Sequence, residues 1–138
     1  MLQFYFLSVA ANFLAGTTLS SDWMAEKFTS LTPVLTALSA RRARMIIGLA
    51  ALLVGVATLF VPADGPILLG DLFPSGVGIV VGIALLFEAI RQETLFAGAD
   101  AGGADAAGRA PRAWRTAMGA FAYAAAILHF FLPDRMIL

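Results

Sequence analysis

Four long stretches of the chain carry no charged side chain: residues 1–21, 45–63, 72–87 and 116–133. About 20 residues of helix cross the hydrocarbon core of a bilayer, and each stretch is close to that length. Polar residues gather in the segments between them. This pattern predicts an all-α fold, a four-helix transmembrane bundle forming one domain over residues 1–138. The helices are expected over about residues 2–19, 42–60, 72–91 and 113–132.

The polar segments differ in sign. Eight of the nine Lys and Arg residues fall in two of them, 27–44 and 91–115. The segment 61–66 has no cation, and the tail has only Arg135. Cytoplasmic loops of membrane proteins are enriched in Lys and Arg. Both termini are therefore expected outside and both long loops inside, giving a multi-pass protein of the plasma membrane, in a bacterium the inner membrane. The first stretch resembles a signal peptide in hydrophobicity. It lacks a basic n-region, since Met1-Leu2-Gln3 has no cation, and it reads as a retained helix.

Residues 20–40 are too polar to cross. Phe28, Leu31, Leu35 and Leu38 recur at spacings of three and four, which predicts an amphipathic segment at the membrane surface, as one or two short helices interrupted near Pro33. Trp23, Lys27, Arg41, Arg42, Arg44 and Trp114 are the expected lipid-interface residues, because indoles and long cationic side chains favour the headgroup region. Residues 96–111 are rich in Ala and Gly and predict a flexible cytoplasmic linker.

Small residues recur at helical spacing within the apolar stretches. Ser8, Asn12 and Gly16 form one stripe, and Gly48 and Gly55 another, with Ala51 between them. Gly78 and Gly82 make a GxxxG match, and Ala117, Ala120 and Ala124 give a further small face. Such faces let helix backbones approach closely, so Gly16, Gly48, Gly55, Gly78 and Gly82 are predicted packing positions.

The composition narrows the function. Hydrophobic residues make up 60% and charged residues 13% of the chain, and the formal net charge is zero. Nothing there favours nucleic acid as a partner; membrane lipids and other membrane subunits, or a second copy, fit better. The absence of cysteine excludes disulfides and thiol chemistry. No nucleophile–base pair, metal-ligand spacing or phosphate loop is present, so neither an enzyme nor a bound metal or cofactor is expected.

Four polar positions remain as candidates: Asn12, Asp71, Glu88 and His129. Asn12 reads as an interhelical hydrogen bond or a contact to a ligand or ion. Asp71 reads as the N-cap of the third helix, or as part of a segment, 67–74, that re-enters the membrane. Glu88 reads as a bridge to Arg91 or to the Arg41/Arg42/Arg44 cluster. His129 reads as an interfacial side chain or, with nearby carboxylates, a proton or metal site. The expectation is an accessory or scaffold subunit of a membrane complex, with a small oligomeric transporter or ion channel as the alternative and a membrane enzyme last.

Overall fold

A computed structural model describes residues 2–60, 72–96 and 112–131 of the chain. Among these residues every regular element is helical: α1 Leu2–Leu19, α2 Ser21–Lys27, α3 Thr32–Ser39, α4 Arg41–Phe60, α5 Leu72–Phe96 and α6 Arg112–Phe131. A 3-10 turn, Thr29–Leu31, joins α2 to α3. The four long helices run alternately up and down. α5 packs along α4, α6 along α1, and α1 also touches α4 and α5.

The sequence explains this close arrangement. The buried core is made largely of small residues: Ala11, Ala15, Ala51 and Ala122, with Leu19, Val81 and Leu85. Between α4 and α5 the backbones nearly touch. A Cβ on Gly82 would lie 2.7 Å from the carbonyl oxygen of Gly48 and 2.7 Å from the amide nitrogen of Leu52. Gly78 has more room, its nearest neighbour at 3.3 Å being the Ala51 carbonyl oxygen. Gly16 meets Gly119 of α6 in the same way, and Gly55 meets Ser75.

The outer surface is apolar. Ile46 of α4 is 69% exposed and Phe121 of α6 61%. Two helical stretches are long and apolar enough to cross a membrane: Arg41–Phe60, with a mean hydropathy of 2.1, and Leu72–Arg91, at 2.0. Tyr5–Leu19 is a shorter apolar helix. The all-helical expectation therefore holds, and two of the four predicted spans have the length and composition of one.

Three details differ from the sequence reading. The third long helix continues past residue 91 to Phe96. Pro33 does not interrupt the surface segment. It stands in the first turn of α3, where a missing N–H breaks no helical hydrogen bond, and the break falls at Phe28–Leu31 instead. The buried face of α6 is Arg115, Gly119, Ala122, Ala125, Ala126 and His129, while Ala117, Ala120 and Ala124 point outward. Asp71, the 61–66 turn and the linker beyond Phe96 lie outside the described residues.

Candidate functional site

Most of the buried polar groups fall in two layers of the bundle. One layer is ionic. Arg44, Gly48, Ala51 and Gly55 make the buried stripe of α4, so the helix that packs its glycines inward carries Arg44 inward too. On α6 Arg115 is likewise four residues before Gly119 and seven before Ala122. Glu88 follows Val81 and Leu85 on the inner face of α5.

These three helices bring the charges together. Arg44 Nη1 lies 3.6 Å from Glu88 Oε2, and Arg115 Nε lies 3.1 Å from Glu88 Oε1. The other side of Arg115 donates through Nη1 to Asp22 Oδ2 of α2. Arg44 has no exposed surface, Arg115 3% and Glu88 4%, while Asp22 reaches toward water. The formal charges of two arginines and two carboxylates cancel. Burial of ions is costly unless they are paired, and this mutual pairing is what makes the position of each tolerable.

Around this centre the contacts become more exposed. Arg41 Nε donates to the Ala89 carbonyl at 3.3 Å. Glu26 of α2 pairs with Arg112 of α6 at 2.5 Å on the surface. The hydrogen bond from Arg112 holds the Glu26 carboxyl below its ordinary value of 4.5. The Arg91 guanidinium sits 4.7 Å above the Phe87 ring.

The second layer is uncharged. Asn12 Nδ2 donates to the Ser8 carbonyl at 3.1 Å and to the Pro74 carbonyl of α5 at 3.2 Å. Thr58 and Ser75 share a hydrogen bond of 2.6 Å between α4 and α5. Nearer the helix ends Tyr5 donates to the backbone carbonyls of His129 and Phe130. The Tyr5 and His129 rings stand 4.6 Å apart, and His129 is 5% exposed. Between the two layers lie the buried apolar residues Ala15, Ala51, Val81, Leu85 and Ala122, together with buried Thr18, which donates to the Leu14 carbonyl, and the 2.8 Å hydrogen bond between Thr17 and Tyr123. Asn12 Oδ1 lies 3.5 Å from where a Cβ on Gly78 would be, and Gly78 is ten residues before Glu88 on α5, so the layers approach to about 15 Å along the helix.

Of the sequence candidates, Asn12, Glu88 and His129 all face the interior, but at different depths, and none of them meets another. Glu88 finds Arg44, one of the partners expected for it, and also Arg115, which the sequence reading did not single out. Arg44, expected among lipid headgroups, is in the core, and Arg41 is half-buried; Trp23, Lys27, Arg42 and Trp114 are on the surface. The signal for Arg44 and Arg115 was in the chain: each stands four residues before a packing glycine.

Chemically the ionic layer can hold and orient. Its two carboxylates, Asp22 and Glu88, are both engaged by arginine, and arginine does not give up its proton in proteins. Among the described residues no three His, Cys, Asp or Glu side chains gather as a metal site needs. A groove of about 540 Å³ opens between α5 and α6, lined by apolar residues including Phe73, Gly76, Val80, Met118 and Phe121.

No curated protein and no solved structure matches the chain. A family model does, over residues 1–129, and the family it describes has no known function. A match over that much of the 138 residues makes the chain a member of this family.

Proposed function

We propose that the protein is a four-span membrane protein, with both termini outside, that serves as an accessory or scaffold subunit of a membrane complex. The observation that carries this reading is the small-residue, largely apolar core of the bundle. Ala15, Ala51, Val81, Leu85 and Ala122 fill it, while large apolar side chains such as Ile46, Phe87 and Phe121 face outward. A carrier or channel needs a continuous polar path, and between the levels of Asn12 and Glu88, about 15 Å apart along α5, the core is filled mainly by Ala15, Ala51, Val81 and Leu85, with the hydroxyls of Thr17, Thr18 and Tyr123 beside them. The outward apolar flank is the kind of surface that a bilayer or a neighbouring helix covers. The groove between α5 and α6 adds a recess on that flank, with the small Gly76 in its floor.

The alternative, a small transporter, draws on one observation. Asn12, Glu88 and His129 all face the bundle interior, as groups on a transport path would. It would require the helices to part at the middle layer.

The test is a photo-crosslinking amino acid at Val80 or Phe121, followed by purification in mild detergent. A specific adduct to another membrane protein is expected. Adducts to lipid alone, together with ion or proton flux in reconstituted vesicles, would replace the scaffold reading with the transporter.

A further inference from the structure

Helix α2 has two faces with opposite tasks. Asp22 and Glu26, four residues apart, share the face turned to α6, and both are engaged by its arginines, Arg115 and Arg112. Trp23 and Lys27, also four apart, share the adjacent face, and both are exposed. α3 folds back beside α2. Ser39 Oγ donates to Ser21 Oγ at 2.7 Å, which closes the base of this hairpin, and buried Leu35 anchors it to the bundle. The rest of the hairpin shows apolar side chains to its surroundings: Phe28 and Leu31 at the turn and Val34, 59% exposed, on α3. Arg42, exposed, follows directly at the start of α4.

The charge balance of this surface follows. Its two acids are spent on α6, so what the hairpin presents outward is an indole, a cluster of apolar side chains, and the cations of Lys27 and Arg42. We propose that the α2–α3 hairpin binds anionic phospholipid, with Trp23, Phe28, Leu31 and Val34 seated among the headgroups and Lys27 and Arg42 paired with lipid phosphate. The inference rests on the membrane-embedded reading above. A zwitterionic headgroup offers a phosphate already balanced by its own cation, and so satisfies the apolar residues better than the exposed cations of Lys27 and Arg42. An anionic one satisfies both.

Trp114→Phe leaves Trp23 as the single indole, since the chain has two tryptophans. This variant is reconstituted into mixed phosphatidylcholine and phosphatidylglycerol vesicles in which one lipid or the other carries bromine near the headgroup. Brominated phosphatidylglycerol is expected to quench Trp23 more strongly than brominated phosphatidylcholine at equal mole fraction. Each basic residue at an anionic surface contributes roughly a fivefold preference. Lys27→Gln should lower the ratio by about that factor, and Lys27→Gln with Arg42→Gln should bring it close to one. Equal quenching by the two lipids overturns the anionic preference. Quenching by aqueous iodide and by neither lipid overturns the proposal outright, and means that the hairpin faces water or a protein partner. Alkaline carbonate extraction separates the two levels of failure: release of the protein from the vesicles sinks the membrane reading itself, whereas retention with either of those quenching results sinks only the lipid site.

Discussion

Arg44 of α4 and Glu88 of α5 face each other inside the bundle, Nη1 to Oε2 at 3.6 Å, with Arg44 wholly covered. Glu88 also receives Arg115 at 3.1 Å, so one carboxylate answers two buried guanidinium groups. Removing it should be far more damaging than removing a surface carboxylate. Glu88→Gln keeps the shape but leaves Arg44 without its counter-charge, and breaking a buried pair costs about 3–5 kcal/mol. Reversible unfolding in mixed micelles should register that loss. Replacing both ends, Glu88→Leu with Arg44→Met, should cost less than the sum of the single changes. Strict additivity would mean that the two residues are not coupled.

The close approach of α4 and α5 gives a contrast between glycines of one helix. Gly82→Ala places a methyl 2.7 Å from the Gly48 carbonyl oxygen, so the backbones must part. Overpacking of this kind costs about 1–3 kcal/mol. Gly76 has open space where its Cβ would be, and alanine is the better helix former by about 1 kcal/mol. Gly76→Ala should therefore melt at or above the parent temperature, and Gly82→Ala below it. Equal melting of the two variants would deny the close contact.

The Glu26–Arg112 pair predicts a pH dependence. The folded-state pKa of Glu26 is depressed by the hydrogen bond from Arg112. Its contribution to stability is therefore complete above the ordinary value of 4.5 and is lost as pH falls through the depressed folded value. At neutral pH Glu26→Gln should melt slightly below the parent, by a small margin because the pair is exposed. In strong acid the two curves should coincide. A gap that persists in acid would show that Glu26 acts through packing rather than charge.

The distribution of basic residues predicts topology. With both long loops inside, a cysteine at position 103 should be labelled by an impermeant maleimide only after permeabilisation, and one at position 64 in intact cells. The chain has no cysteine of its own to confuse the assay. Labelling of position 103 from outside would invert or abolish the proposed orientation.

Much of the bundle could be read from spacing. Ser8, Asn12 and Gly16 recur every four residues, and all three are buried, because a stripe of small and polar groups in an apolar helix has little alternative to a neighbouring helix. The same reasoning misled on α6. In a helix so rich in alanine, residues 117, 120 and 124 make as good a stripe as 119, 122 and 126, and period alone cannot choose between them. Arg115 and His129 make the choice, because each has a partner only on the second face.

The sequence reading expected a Glu88 bridge to the Arg41/Arg42/Arg44 cluster, but the burial of Arg44 and the part of Arg115 escaped it for a related reason. A cation beside a span is usually solvated at the headgroups, and counting cations orients a helix without saying which side of it they occupy. Only the register of Arg44 with Gly48 carries that information. Pro33 was ambiguous in another way. It ends one helix or begins another with equal ease, and the turn Thr29–Leu31 decides for the second.

In the proposed membrane-spanning arrangement, the neutral ionic layer has an electrical consequence. In an energised membrane the potential falls across dry material, and carrying one elementary charge through it involves about 2.3 kcal/mol per 100 mV. The charges of Asp22, Arg44, Glu88 and Arg115 sum to zero and sit together in that layer. A voltage can do no net work on such a group when it moves as a unit. This buried cluster therefore adds no gating charge of its own to the proposed membrane-spanning arrangement.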